Sequence, residues 1–268
     1  MRKLTSLAAV VTTCLLVLCG CETLNLDLGQ LNIISTDEEI RLGKSLAVEI
    51  EKEQTVLDNP ALAKYVSEIG TRVAAYSERP DIPYSFTVID NDDSVNAFAL
   101  PGGPIYVYTG LLRHAGNEAE LAGVLGHEVA HIAARHSTEQ LTKAFGYSLL
   151  AEVVLGKDPG ATTAIARDII GSLSMLKFSR NDEIEADRLG VRYLFQAGYS
   201  PNAMSSFMQK LGELQTQSPS RVLNLLSTHP LSNDRLNAIR QEIATLPPGR
   251  KVEYHAERYK EIISRELK

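Results

Sequence analysis

The chain has 268 residues, 44% of them hydrophobic and 22% charged, with a formal net charge of −6. That size suits one substantial core with at most a small appended lobe, and the acidic balance argues against a nucleic-acid partner. All three cysteines, Cys14, Cys19 and Cys21, fall at the start of the chain, which excludes a disulfide framework or a cysteine-ligated metal in the folded body.

Residues 1–20 open with Arg2 and Lys3 and continue as an apolar run from Leu7 to Leu18. A run this short, followed by polar sequence, reads as a secretory signal rather than a spanning helix. Its end, Leu18-Cys19-Gly20-Cys21, resembles the bacterial lipobox, in which a small residue precedes a cysteine that is acylated and becomes the new N-terminus. Cys21 fits that place, whereas Cys19 follows the bulky Leu18. Glu22 is not the aspartate tied to inner-membrane retention in such lipoproteins, so the likeness implies a periplasmic protein anchored to the outer membrane through Cys21. An acidic body of this kind is held by acyl chains, not by a basic patch. The expected organisation is a signal over 1–20, a tether over 21–34, a folded domain over 35–246 and a C-terminal helical tail over 247–268.

Thr36 and Glu39 form a capping box ahead of an amphipathic helix carrying Ile40, Leu42, Leu46, Ala47 and Ile50. Pro60 opens a second helix with Leu62, Tyr65, Val66, Ile69 and Val73 on one face. Tyr84 to Asp90 alternates and is rich in β-formers. With 96–100 and 105–108 it predicts a three-stranded meander. Pro101 and Pro104 break the middle strand's ladder and mark an exposed edge, able to pair with an extended peptide.

The centre of the sequence is residues 121–137, LAGVLGHEVAHIAARHS, led in by Asn117 as N-cap. His127, Glu128 and His131 make the pattern H-E-x-x-H. Two histidines four apart on a helix point from one face and can reach one metal ion, and Glu128 is then placed to take a proton from a water that the ion activates. The flanking residues are small and apolar, so a glutamate there is costly unless it has chemistry to do. His136 lies five residues past His131, about 140° round the helix, and should serve the helix end or a contact behind the ligands instead.

Residues 138–177 read as helical, divided at Gly156–Gly160, with neither half long enough to span a bilayer. In the stretch from Ser179 to Gly198, Glu183 and Asp187 are four apart and share a helical face while Glu185 points elsewhere. That spacing suits one carboxylate on a metal and one behind it, holding a ligand histidine. A helix over 203–214, a loop bearing His229 before Pro230, and a further helix from about Ser232 complete the chain.

Several stretches together resemble the zinc metallopeptidase family that contains the CAAX prenyl protease and HtpX, with the greatest likeness to its soluble periplasmic members. They are Ile34–Leu46, Asn96–Gly110, the HEVAHIAARHS helix, SRNDEIEADRLG and STHPLSNDR. The resemblance implies an α+β fold, mostly α: a gluzincin-like metalloprotease with a small three-stranded β-sheet beside the H-E-x-x-H helix. Carried over residue by residue, it makes His127, His131 and Glu183 the ligands of one zinc ion, Glu128 the general base and Asp187 a support behind the ligands. His229 matches a T-H-P histidine that masks the zinc as a fourth ligand, and Arg235 matches an arginine that orients that loop or a substrate carbonyl. The metzincin pattern fails, since it needs glycine at Ala134 and histidine at Ser137. The implied substrates are unfolded or misassembled envelope proteins. The competing reading is a chaperone-like or scaffold lipoprotein whose zinc site stays masked.

Overall fold

The computed structural model describes residues 34–173 and 175–268. The signal, Cys21 and all of the expected tether except Ile34 lie outside the described residues. Helix α1 (Thr36–Glu53) is capped one residue earlier than predicted, by Ser35, with Glu38 completing the capping box. Both Ser35/Glu38 and Thr36/Glu39 satisfy the pattern, and burial decides between them. Glu39 is fully buried, its carboxylate accepting from Arg79 Nη2 at 2.8 Å and Thr138 Oγ1 at 2.9 Å. That leaves Glu38 to cap. Helix α2 (Pro60–Ala74) buries the five residues its periodicity predicts.

The sheet departs from a meander. Strands β1 (Ser85–Ile89), β2 (Ala97–Ala99) and β3 (Pro104–Tyr108) stand in the order β1-β3-β2, with β3 parallel to β1 and antiparallel to β2. Only β2 and β3 form a hairpin, whose turn holds Gly102 and Gly103 at φ 69° and 134°. Pro101 therefore sits in that turn and Pro104 opens β3, where each is tolerated. Residues 90–96 do not turn back beside β1. They are tied to the far end of β3, with Asn91 N–H donating to Thr109 Oγ1 at 2.9 Å and Gly110 N–H donating to Asn91 O at 3.0 Å. The chain thereby passes β3's place and enters β2 on the opposite edge.

Helix α3 (Thr109–His114) leads into α4 (Glu118–Ala133), capped by Asn117, whose Oδ1 accepts from Glu120 N–H at 2.9 Å. Every residue of α4 except Val124 is buried. It packs against α2, β2, α8 (Arg180–Gln196) and α9 (Asn202–Gln217). The approach of α8 depends on a glycine: a Cβ at Gly190 would stand 3.3 Å from the backbone nitrogen of His127. Close backbones are what bring short carboxylate side chains within reach of the histidines across the interface.

Helices α5 (His136–Phe145), α6 (Tyr147–Leu155) and α7 (Pro159–Leu173) replace the two predicted helices with three. The unforeseen break is Gly146, at φ 76°, a conformation that favours glycine. With α1 they enclose a second core that includes Ile34, Leu42, Leu46, Leu150, Val153 and Ile169. Among the described residues no helix is long and apolar enough to cross a membrane. Helix α10 (Pro219–Thr228) has no counterpart among the expected helices and leaves His229 as its C-cap, in the expected loop before Pro230. Then α11 (Asn233–Thr245) begins after Ser232. Finally α12 (Ala256–Glu266) packs on α2 and α4, with buried Tyr259 donating to Leu112 O at 2.7 Å.

Candidate metal centre

Four buried side chains from three parts of the chain, His127, His131, Glu183 and His229, bring one potential donor atom each within 4.8 Å of one another. Helix α4 supplies both histidines from one face, with their Nε2 atoms 3.0 Å apart. Helix α8 supplies Glu183, whose Oε1 lies 3.4 Å from His131 Nε2 and whose Oε2 lies 3.6 Å from His127 Nε2. Zinc bonds of about 2.0–2.1 Å at tetrahedral angles separate neighbouring donors by about 3.3 Å. The 3.0 Å between the rings, and the 3.4 and 3.6 Å from them to the two different oxygens of Glu183, lie close to that spacing. Facing ring nitrogens and a buried carboxylate are also the donor set zinc prefers.

His229 fills the fourth corner with Nδ1, at 3.3 Å from His127 Nε2 and 2.8 Å from Glu183 Oε1. Its Nε2 stands 3.8 Å from Glu128 Oε1. Glu128 is itself buried and lines the cavity beside the centre together with His127.

Behind the donor cluster sits a second set of groups. Asp187, one turn beyond Glu183, puts Oδ1 3.0 Å from His127 Nδ1. Arg235 grips both oxygens of Asp187 at 2.7 Å through Nε and Nη2. Its Nη1 donates to Pro230 O at 3.2 Å and stands 2.6 Å from Glu183 Oε2, off the alignment of a hydrogen bond. One guanidinium thus fixes the carboxylates of α8 and the turn that carries His229. His136 meets His131 Nδ1 at 3.1 Å through its own Nδ1 and stays out of the donor cluster, but not through the expected angle: α4 ends at Ala133 and Arg135 turns the chain in the left-handed region, so His136 opens α5 and does not continue the helix of His131. Glu185 is exposed, 3.5 Å from His136 Nε2.

The electrostatics follow from burial and pairing. Burial opposes a charged His127 ring, but the carboxylates of Asp187 and Glu183 overcome it and push its pKa up to about 10. At His131 burial prevails and holds the ring well below its ordinary value. Burial would raise Glu183, yet His229, His127 and His131 hold it far below the usual carboxylate range. Asp187 is lowered in the same way, by Arg235 and then His127, against its burial.

Sequence reasoning missed two contributors. Phe178 stacks on His131 with ring centroids 3.9 Å apart, and nothing in its neighbourhood distinguishes it from a packing residue. Glu39 receives Arg79, whose Nη1 also donates to Ile132 O in the last turn of α4 at 3.1 Å. Arg135, at φ 65°, brings its Nε to 3.2 Å from Glu39 Oε2. This cluster holds the turn that sets His136 against His131. Glu39 shares a helical face with Leu42 and Leu46, so its burial was legible in the periodicity.

Residues 60–243 match the model of "Peptidase family M48". The chain is 29% identical over 224 residues to the "Beta-barrel assembly-enhancing protease" of Yersinia pestis, covering 80% of this chain and 46% of the relative. To the "Mitochondrial metalloendopeptidase OMA1" of Arabidopsis thaliana it is 37% identical over 194 residues, 71% of this chain and 38% of the relative. To the protein of the same name in Schizosaccharomyces pombe it is 34% identical over 221 residues, 78% of this chain and 62% of the relative. Against the Yersinia protein, therefore, the chain spans about half the relative's length. All the residues of the donor cluster fall inside the family match.

Proposed function

The chain belongs to peptidase family M48, and on that premise we propose that it is a zinc-dependent endopeptidase of the bacterial cell envelope, cutting unfolded or misassembled envelope proteins. The observation that carries the reading is the buried cluster of His127, His131 and Glu183 at tetrahedral spacing with Glu128 beside it. A zinc ion held there supplies Lewis acidity, which polarises a peptide carbonyl and makes water acidic enough to attack near neutral pH. Glu128 takes the proton of the attacking water and returns it to the leaving amine. Asp187 fixes the His127 ring through Nδ1, and Arg235 fixes Asp187. The half-buried edge strand β2, packed beside α4, offers backbone groups to an extended peptide.

The envelope setting rests on the lipobox-like Leu18–Cys21 and on the name of the Yersinia relative. In this reading Cys21 carries the lipid anchor, the body lies in the periplasm, and the outer membrane is the anchoring surface. His229 acts as a removable fourth ligand that masks the ion. A second reading, a chaperone-like or scaffold lipoprotein with a permanently masked zinc, draws on the same fourth-corner position of His229.

Casein degradation by the zinc-loaded full chain, beside its Glu128→Gln and His229→Ala variants, separates the two. Cleavage by the parent or the His229 variant, lost in the Glu128 variant, is the expected result. A higher rate in the His229 variant establishes masking, and an unchanged or lower one removes it. Zinc binding without cleavage in every variant favours the scaffold reading.

A further inference from the structure

His127 and His131 turn their Nε2 atoms toward each other in the donor cluster, but what stands behind the two rings differs. Behind His127 is a carboxylate, Asp187, gripped by Arg235. Behind His131 is another ring, with Nδ1 of the buried His136 3.1 Å from Nδ1 of His131. The far nitrogen of His136, Nε2, faces α8, 3.5 Å from Glu185 Oε2 and 4.0 Å from Asp182 Oδ1. Glu185 is the nearer of the two. Asp182 is engaged as part of that helix's capping box, its Oδ2 accepting from Ser179 N–H at 2.9 Å.

A neutral imidazole carries one proton, and a nitrogen that binds a metal ion cannot hold it. With zinc bound as proposed above, the reading on which this inference rests, Nε2 of His131 is bare and its Nδ1 carries the hydrogen. That buried N–H needs an acceptor, and the atom facing it is Nδ1 of His136. A hydrogen on that nitrogen would set two N–H groups against each other and leave both unsatisfied, which is costly in a buried place. The proton of His136 therefore sits on Nε2, where the Glu185 carboxylate faces it. Phe178 holds the face of the His131 ring by stacking at 3.9 Å, but a stacked ring does not discriminate between the two nitrogens. The turn that delivers His136 is fixed independently. Arg135 Nε lies 3.2 Å from Glu39 Oε2, and Thr138 Oγ1 donates to Glu39 Oε1 at 2.9 Å.

We propose that His136 is the positioning residue of His131: its bare Nδ1 accepts the Nδ1 proton of His131, fixing that ring's tautomer and aiming Nε2 at the ion, and Glu185 fixes His136 in turn. The two metal-binding histidines are then supported by unlike groups, an anion behind His127 and a neutral ring behind His131. A carboxylate in that place would raise the basicity of the ligand ring and add negative charge to a centre that already holds Glu183. The neutral acceptor orients His131 without doing so.

The test uses the zinc-loaded full chain with isotope-labelled histidine. Long-range proton–nitrogen NMR shows the hydrogen of His131 on Nδ1 and that of His136 on Nε2. Zinc affinity, read by chelator competition, falls about 10–100-fold in His136→Leu. His136→Asn restores most of it, since its Oδ1 stands where Nδ1 stood. His136→Gln does not, because its Oε1 takes the place of Nε2. Glu185→Gln, an exposed substitution, lowers affinity by no more than about fivefold and moves the His136 Nε2 signal; an unmoved signal overturns the part given to Glu185. A His136 proton found on Nδ1 overturns the proposal. So does equal affinity among the Leu, Asn and Gln variants, whether all match the parent or all fall together as a packing residue would have them do. A parent that binds no zinc overturns the metal reading as well. Zinc bound with the expected tautomers but no cleavage of casein overturns the peptidase reading and leaves the role of His136 standing.

Discussion

Helix α4 buries carboxylates at both of its ends, and the two ends treat them in opposite ways. At the N-terminal end Glu118 accepts from Tyr65 and Tyr199 hydroxyls at 2.8 and 2.7 Å, with Arg258 Nη1 at 3.4 Å. Its neighbour Glu120 accepts from Gly116 N–H, Ser206 Oγ and Lys210 Nζ at 2.7, 2.8 and 2.7 Å. Every one of these four oxygens has a donor, and the helix N-terminus favours negative charge. At the other end the ring nitrogens of His127 and His131 face each other, and Glu183 Oε2 has no hydrogen bond. Arg235 Nη1 stands 2.6 Å from that oxygen without the alignment of a hydrogen bond, and the ring nitrogens and carboxylate that converge beside it are the arrangement a bound cation resolves. A buried acid by itself signals little; one whose neighbours are also acceptors signals a metal.

The contrast yields four expectations, the largest first. Glu128→Gln lowers kcat by about 10²–10⁴-fold, the usual worth of a positioned acid–base group, while zinc content, measured by emission spectrometry, stays at the parent level. Glu118→Ala does the reverse. It strands two buried phenols and costs about 2–4 kcal/mol in urea unfolding, with zinc affinity unchanged. Should that substitution loosen zinc, the two ends are coupled and the comparison fails. Asp187→Asn weakens zinc binding about 10–100-fold in a chelator competition, because the His127 ring and Arg235 lose the negative charge that holds them and keep only a neutral amide.

The fourth is absent at neutral pH. Burial raises the phenols of Tyr65, Tyr193, Tyr199 and Tyr259 above their ordinary value. Unfolded, each ionises near pH 10. Their folded pKa values are higher, so the stability they contribute is complete below pH 10 and is lost as pH rises through the folded values. Urea midpoints of the zinc-free protein should already decline between about pH 6.5 and 10, as the raised His127 loses its proton, and should fall further above about pH 10 as the unfolded phenols ionise. Tyr259→Phe should make that fall shallower, and an unaltered slope would place the titration elsewhere.

Much of the metal centre was legible because its information is local. H-E-x-x-H and the four-residue spacing of Glu183 and Asp187 each fix which side chains share a helical face before any tertiary contact exists. The place of His136 does not follow from that arithmetic, because the helix of His127 and His131 ends at Ala133 and the chain turns at Arg135 before His136. The sheet was misread for the opposite reason. Strand order depends on where residues 90–96 are tied, and Asn91 is held by Thr109 and Gly110, partners it meets only after folding. The capping box slipped one residue because Glu39 has a stronger competing use beside Arg79 and Thr138. Arg235, matched from resemblance to a loop-orienting role, reaches the loop through Pro230 O and grips Asp187 as well. Spacing could not reveal that second contact, since 48 residues separate the pair.

Zinc stoichiometry of the full chain, measured beside Glu128→Gln and Glu183→Gln, tests the metal centre most directly. One ion per chain in the parent and in the Glu128 variant, with sharply reduced content in the Glu183 variant, is the predicted result. A parent that takes no zinc, or a Glu183 variant that holds it as tightly as the parent, would contradict the account.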